Sequence, residues 1–148
     1  MRISAKGEYA IRALLDLAVH HGEGLVPIQE VAHRQGIPQR YLEQVLLLLK
    51  RAGLLESKRG STGGYQLVRP PAAISVGEVL RVVEGRVNAL EVAGRSPRGS
   101  SDAGSSDLAP LWHEIAGAVA AVIDRTTFGD LAERAKARRS PERTIYHI

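Results

Sequence analysis

Apolar residues recur at intervals of three and four along much of this chain, the spacing that places side chains on one side of an α-helix. In the first such stretch the apolar positions are Tyr9, Ala10, Ala13, Leu14, Leu17 and Ala18. They predict an amphipathic helix of about four turns that begins near Lys6, with Ser4 as its N-cap.

Two further helices are predicted between residues 28 and 52, with a tight turn between them. Val31 and Ala32 give the first, over residues 28–35, a buried side, and Gly36 ends it. Pro38 opens a helix over residues 38–52, because the fixed φ angle of proline suits a first helical turn. The apolar positions of that helix are Leu42, Val45, Leu46 and Leu49, which leaves the outer faces to Gln39, Arg40, Glu43, Gln44 and Lys50.

A hairpin is predicted after these helices. Residues 54–59 and 65–68 are expected to form two short strands on either side of a glycine-rich tip at residues 60–64. A helix with a polar outer face followed by a basic hairpin is typical of a winged helix-turn-helix, whose second helix enters the major groove of DNA. The alternative is a corner of two helices covered by a hairpin, with no ligand in either groove.

The formal net charge is +4, and the whole positive excess lies in the first half of the chain. Residues 1–70 hold ten Lys and Arg against six Asp and Glu, whereas residues 71–148 hold ten of each. A basic half that also carries the helix-turn-helix pattern favours a nucleic acid as partner. A second hypothesis is a protein-interaction module that docks on an acidic partner. Such a module would co-purify with its partner, whereas a DNA-binding protein would show steep salt dependence.

The polar face of the helix over residues 38–52 supplies the candidate base contacts. Arg40 is a candidate for a phosphate or a guanine edge, and Gln44 for a bidentate pair with adenine. An acid that faces DNA costs affinity unless it accepts from a cytosine amino group, so Glu43 is predicted to contact a base. The alternative is that Glu43 pairs with Arg40 or Arg51 on the helix surface. Arg51 is itself a candidate DNA contact.

The tip of the hairpin is small and basic. Arg59 is the strongest candidate for insertion into a minor groove, where negative potential is concentrated. Tyr65 is predicted to pack beneath the wing, and Lys6 is either a phosphate contact or a solvated charge. The other candidate DNA contacts at the tip are Lys58, Ser61, Thr62, Gly63 and Gly64, of which the glycines alternatively serve only the geometry of the turn.

Beyond the hairpin the pattern becomes less regular. Ser75 and Glu78 have the spacing of a capping box at the start of a short helix that ends at Gly85. Residues 94–107 are Gly, Ser, Pro and charged residues apart from one alanine, and they predict a flexible loop. A final short helix is predicted to begin at residues 129–130.

Residues 108–123 predict a helix suited to close contact with another helix. Its apolar seam consists of Leu108, Leu111, Trp112, Ile115, Val119 and Val122. The seam could dock on the N-terminal half of its own chain, but a winged helix usually supplies its own core, so we predict a dimer interface. The predicted division is a DNA-binding domain at 1–85, a flexible sensor-type loop at 86–107, dimerisation and C-terminal helices at 108–140 and a tail at 141–148.

Several classes of function are excluded by composition. The chain has no cysteine, which excludes disulfides, a thiolate metal site and a cysteine nucleophile. Its histidines are scattered at positions 20, 21, 33, 113 and 147, and no nucleophile–base pair or phosphate-binding loop is recognisable, so no enzyme is predicted. No stretch resembles a signal peptide or a membrane span, and we expect a cytoplasmic protein with no membrane partner.

Segments spread over nearly the whole chain resemble the Rrf2 family of bacterial transcription regulators in order and spacing. They are MRISAKGEYAIRALLDLA at the N-terminus, YLEQ at 41–44, RGSTGGYQL at 59–67, ISVGEVLRVVEG at 74–85, LW at 111–112 and TTFGDL at 126–131. The resemblance implies a homodimeric winged-helix protein that binds palindromic promoter sites in double-stranded DNA and usually represses transcription. It also implies that the DNA contacts come from Gln39, Arg40, Tyr41, Glu43 and Gln44 and from residues 59–64 of the wing.

The loop at residues 94–107 departs from the family pattern. Many members bind an iron–sulfur cluster there through three cysteines, whereas this chain has serines at 96, 100, 101, 105 and 106. Because a serine hydroxyl does not replace a thiolate in iron–sulfur chemistry, we predict neither a cluster nor another metal. The chain is then either a natural cluster-free member or a form in which serines replace the cysteines of a cluster-sensing regulator. A cluster-free member needs another signal, and we expect an effector protein or a small molecule.

Overall fold

The computed structural model describes residues 3–85 and 107–139, which form six α-helices and one β-hairpin. The mainly α-helical chain with a small hairpin agrees with the predicted fold class. In chain order the elements are α1 (Ala5–Val19), α2 (Ile28–Gln35), α3 (Gln39–Arg51), β1 (Leu55–Lys58), β2 (Gly64–Leu67), a 3-10 turn (Pro71–Ala73), α4 (Val76–Glu84), α5 (Ala109–Arg125) and α6 (Phe128–Arg139).

Helix α1 lies at the centre of the core and packs against α2, α3, α4 and α6. Its inward side is the predicted apolar stripe, of which Ala10, Ala13 and Leu14 are fully buried. Ser4 caps α1 through its hydroxyl, which accepts from the Gly7 N–H at 3.0 Å. Burial of these small and branched residues lets neighbouring helices pack closely against α1.

The turn between α2 and α3 is made by Gly36, whose φ of 62° lies in the left-handed region that favours glycine. Ile37 follows it into the core, and its N–H donates to the Ala32 carbonyl at 3.0 Å. Pro38 is the N-cap of α3 and not part of its first turn, because its ψ of 124° is extended. Helix α3 therefore begins one residue later than predicted.

The hairpin is antiparallel, with Leu55 opposite Leu67 and Lys58 opposite Gly64. It has a second attachment, because Val26 and Tyr65 exchange two backbone hydrogen bonds of 2.9 Å. Tyr65 is half-buried against the core, as predicted. The wing is thus bonded to the segment that leads into α2 as well as within itself.

A buried carboxylate fixes α2 to α1. Asp16 has a side chain 1% exposed, and both of its oxygens accept from Arg34, at 2.9 and 2.8 Å. The amide of Gln35 donates to the same carboxylate at 3.2 Å. This pairing holds the first helix of the helix-turn-helix at a fixed position on the core.

The predicted capping box at α4 is half formed. The Ser75 hydroxyl accepts from the Glu78 N–H at 3.1 Å, but the Glu78 carboxylate contacts the Arg69 guanidinium. A cation is a stronger donor than a neutral N–H, so within the described residues the return bond to Ser75 is replaced by an ion pair.

A capping box with both hydrogen bonds occurs instead at the start of α6, where none was predicted from the sequence. Thr127 Oγ1 accepts from the Asp130 N–H, and Asp130 accepts from the Thr127 N–H, both at 3.1 Å. These bonds lower the pKa of the Asp130 carboxyl. The helix begins at Phe128, one residue before the predicted start.

Helix α6 completes the core of the N-terminal half. Phe128 is fully buried and Ala132 is 4% exposed, both in the same cluster as the α1 residues. Backbone bonds from Val76 to Thr126 and from Phe128 to Ile74, each 2.9 Å, tie the start of α6 to the start of α4. Helix α6 is therefore packed on the N-terminal half of its own chain.

The predicted flexible loop lies outside the described residues except for its last position, Asp107, as does the predicted tail at 141–148. The domain boundaries at 85 and 108 remain predictions. Within the ranges described, none of the helices has the length and apolar character needed to cross a bilayer.

Candidate nucleic-acid interface

Helix α3 presents one continuous outward face. Because residues three, four and seven apart share a side of a helix, Arg40, Glu43, Gln44, Leu47 and Arg51 lie together opposite the buried leucines. All five are exposed, as is Gln39 at the first position of the helix. The predicted base contacts are thus on one surface, free of the core.

Glu43 belongs to this face as a free carboxylate. Among residues 3–85 and 107–139 the ion pairs involve Asp16, Glu30, Glu78 and Asp124, and neither Arg40 nor Arg51 pairs with Glu43. The alternative interpretation, in which a surface ion pair occupies Glu43, therefore does not describe the arrangement in the structure. Its carboxylate oxygens are open to an external donor.

Tyr41 differs from its neighbours because it is half-buried and packs against the core. Its ring meets the Tyr9 ring edge-on, with centroids 5.3 Å apart, and the Arg12 guanidinium lies 5.6 Å from the Tyr9 centroid. A Tyr41 contact with DNA remains a prediction. The ring's observed contact joins the first turn of α3 to α1.

The tip of the wing projects from the body. Lys58, Arg59, Ser61 and Thr62 are exposed, whereas Gly63 and Gly64 are half-buried. A Cβ at position 63 would lie 2.0 Å from the Lys58 carbonyl oxygen, and one at position 64 would lie 2.4 Å from the Val26 carbonyl oxygen. Both glycines are therefore required by close backbone approach, whatever contact they also make.

Lys6 is half-buried in the first turn of α1. That end of α1 adjoins the end of α4, where the Ser4 hydroxyl donates to the Glu84 carboxylate. The helix face and wing described above are built from α3, β1 and β2, and Lys6 lies on a different element. Its role in DNA binding remains a prediction.

The predicted dimer seam on α5 is largely uncovered. Leu108, Leu111 and Val122 are 46%, 47% and 47% exposed, and of the whole helix only Ala116 is buried. Trp112, Ile115 and Val119 are half-buried, and the helix that carries them packs against α4. The seam therefore spans two faces, one towards the chain's own body and one towards solvent.

An ion pair joins α5 to α4. Arg81 and Asp124 approach to 2.6 Å, and the contact lies over Gly77, where a Cβ would be 2.1 Å from the Asp124 Oδ1 atom. The guanidinium lowers the pKa of the Asp124 carboxyl. Glycine at position 77 lets the two helices and their charges meet.

The residues present do not fit an iron–sulfur cluster. The chain has no cysteine, and in the part of it that the structure describes no three His, Asp or Glu residues are grouped to hold a metal ion. Oxygen and imidazole donors alone do not supply the thiolates that such clusters need. No step of the function is assigned to one.

Sequence reasoning overlooked one residue of this surface and one contact that supports it. It omitted Leu47, because a leucine within an apolar run is expected to be buried. It also missed the Asp16–Arg34 pair, because the partners are 18 residues apart and no local pattern links them. The position of Leu47 on a helical wheel, between Arg40 and Arg51, is the signal that would have identified it.

The fold and the exposed polar face of α3 define a helix-turn-helix DNA-binding regulator. The chain belongs to the Rrf2 family, whose model, described as an iron-dependent transcriptional regulator, matches residues 3–134. It is a DNA-binding transcription regulator and not an enzyme.

Individual relatives agree with this assignment. The chain is 38% identical over 132 residues to the HTH-type transcriptional regulator CymR of Bacillus subtilis strain 168, which covers 89% of this chain and 90% of that protein. It is 40% identical over 134 residues to the HTH-type transcriptional regulator IscR of Cereibacter sphaeroides, with 88% and 86% covered.

Two solved structures are similar over almost their full length. CymR, described as the global cysteine regulator of B. subtilis, has a TM-score of 0.78 and 36% identity, and the match covers 90% of this chain and 98% of that one. IscR of T. potens has a TM-score of 0.76 and 32% identity, with 99% and 96% covered. The fold is therefore shared with both kinds of regulator.

Proposed function

We propose that this protein is a homodimeric regulator that binds a palindromic promoter site, usually to repress, and that it works without an iron–sulfur cluster. The observation that carries the proposal is the combination of an open polar face on α3 with an uncovered apolar face on α5. The first suits base edges in a major groove, and the second suits a second copy of the chain.

The α5 face supports the dimer on physical grounds. Leu111 and Val122 are eleven residues apart, three turns of the helix, so their exposed side chains share one side. A contiguous patch of exposed apolar side chains is typical of an interaction surface. A two-fold symmetric dimer relates the two copies of α3 by the same symmetry that relates the half-sites of a palindrome.

The absence of cysteine supports the cluster-free part of the proposal. A regulator that lacks thiolates senses through something else, and we propose an effector protein or a small molecule. Because its target is chromosomal DNA, we place the protein in the cytoplasm.

The first experiment is selection of genomic DNA fragments by the purified protein in air, followed by sequencing. The proposal expects enrichment of one palindrome, and titration of that site should give one dimer per palindrome. Enrichment of nothing beyond a salt-sensitive background would contradict binding by the cluster-free form.

The dimer is tested by two matched variants on α5. Val122→Asp places a charge on the exposed apolar face, whereas Ala121→Asp places it about 100° around the same helix. Both positions are exposed, so both variants should fold, which circular dichroism would check. In sedimentation we expect Val122→Asp to be monomeric and to lose the palindrome while Ala121→Asp remains dimeric. A dimeric Val122→Asp variant would refute this interface.

A further inference from the structure

Leu47 occupies the middle of the outward face of α3. It is 42% exposed, whereas the leucines at 42, 46 and 49 of the same helix are fully buried. On the helix it lies between Arg40 and Arg51, seven residues after one and four before the other. An apolar side chain thus sits at the centre of a surface that is otherwise polar and charged.

The core does not account for this position. Leu47 is absent from the buried core cluster and from the partly buried residues that pack against it. Leucine at an exposed helix position gains only a small helix propensity over the polar residues around it. Its side chain is therefore available to a partner that binds the α3 face.

In the major groove of DNA the apolar group displayed on a base edge is the C5-methyl of thymine. We propose that Leu47 is a specificity residue that contacts a thymine methyl in each half-site. The inference rests on the proposed function, in which α3 enters the major groove, and names one base that it selects.

The position of that thymine follows from the helix. Leu47 lies three and four residues after Gln44 and Glu43, which is about 4.5 and 6 Å along the axis. Base pairs are stacked about 3.4 Å apart. The thymine is therefore expected one or two base pairs from the pair that Glu43 contacts.

The experiment uses the full chain and its selected operator. Each thymine of a half-site is replaced in turn by deoxyuridine, which removes the methyl and keeps the hydrogen-bonding edge. Burying one methyl group is worth about a fourfold change in affinity. We expect wild-type protein to lose about fourfold in affinity at one thymine per half-site, one or two base pairs from the position at which Glu43→Ala relaxes selectivity.

The variant Leu47→Ala should be weaker on the natural operator and should no longer distinguish thymine from deoxyuridine at that position. The control is Val68→Ala, which shortens a side chain that is 51% exposed at the base of the wing. It should keep the wild-type response to deoxyuridine.

The outcomes separate this inference from the proposed function. A wild-type protein that selects no operator would overturn both. A wild-type protein that binds its operator but tolerates deoxyuridine at every position would overturn only the role of Leu47. The role of Leu47 would also be overturned if the Leu47→Ala variant still bound thymine more tightly than deoxyuridine at that position.

Discussion

At the scale of single residues, Glu43 and Arg59 are predicted to contribute differently to DNA recognition. Glu43 carries an unpaired carboxylate on the outer face of α3, so it repels phosphate and rewards a cytosine amino group. Arg59 stands at an exposed wing tip and attracts any sequence. We therefore expect Glu43 to determine sequence selectivity and Arg59 to contribute affinity for DNA of any sequence.

For Glu43 we predict that Glu43→Ala relaxes selectivity at one base pair of each half-site without abolishing binding. Removal of the carboxylate deletes the contact that discriminates and also a charge that opposes DNA. Binding-site selection with the variant measures this directly. An unchanged preference at every position would rule out base contact by Glu43.

For Arg59 we predict that Arg59→Ala weakens binding to all sequences and lowers the slope of log affinity against log salt by about one unit. Titration at several salt concentrations measures the slope. Arg59→Lys is the control, because it retains the charge and should retain the slope. A loss confined to sites with one AT-rich step would instead indicate that Arg59 detects groove shape.

At the scale of elements, two ion pairs add to the apolar contacts between helices. Asp16 and Arg34 hold α2 on α1, and Arg81 and Asp124 hold α5 on α4. The two pairs differ in burial, since Asp16 is 1% exposed and Asp124 is 44% exposed. Their contributions to stability should therefore differ in size.

We predict that Arg34→Gln lowers the free energy of unfolding by about 2–3 kcal/mol, because it leaves the buried Asp16 carboxylate without its cation. The partial exposure of Arg34 keeps the loss at the lower end for a buried pair. Glu30→Gln is the matched control. It removes only the exposed partner of Arg34, 3.3 Å away, and should cost less than about 0.5 kcal/mol in urea denaturation. Equal losses in the two variants would contradict a special role for Asp16.

We predict that Asp124→Asn costs only a few tenths of a kcal/mol, about what an exposed pair contributes, and only above a certain pH. The pKa of Asp124 is lowered in the folded protein, so its stabilisation is present above the ordinary value of 3.8 and is lost as the pH falls through the lowered pKa. Urea denaturation of both proteins between pH 7 and pH 2 should show the difference shrinking in acid. A difference that stays constant with pH would indicate lost packing over Gly77.

Element boundaries followed from the sequence wherever a helix had one apolar side and a glycine or proline at its end. Helix α2 matches its predicted limits, and α3 differs by one residue at each end. The sequence did not show which of two possible partners a side chain would choose. The Glu78 carboxylate, for example, pairs with Arg69 and not with the Ser75 backbone N–H. The Thr127–Asp130 cap was visible as a Thr-x-x-Asp pattern and was missed. The burial of Phe128 was not visible, because it depends on contact with a helix more than a hundred residues away.

At the scale of the whole molecule, the proposed dimer is two DNA-binding surfaces at a fixed separation. Within each subunit α5 is attached to the body through α4, and its outward apolar face is available to the partner. In such a dimer, the geometry of the α5 pair would set the distance between the two recognition helices.

We predict that insertion of five base pairs at the centre of the selected palindrome abolishes dimer binding, because it rotates one half-site by about half a turn. Insertion of ten base pairs returns the two half-sites to the same face of the DNA but leaves them farther apart, so it should restore little of the binding affinity. Gel-shift titration of the three operators measures this. Equal affinity for all three would mean that the subunits bind independently.

The hydrogen-bonded pair formed by Val26 and Tyr65 has a consequence for protein engineering. The wing is hydrogen-bonded to the segment that precedes α2. Residues 26–67, which include both helices and the hairpin, should therefore be transferred together when they are grafted into another protein. A chimera that receives α3 and the hairpin but has a foreign segment at position 26 would lose the hydrogen bonds between that segment and Tyr65. Substitution of the exposed residues of α3 leaves residues 26–67 folded as one unit and is the safer way to change the operator that the protein binds.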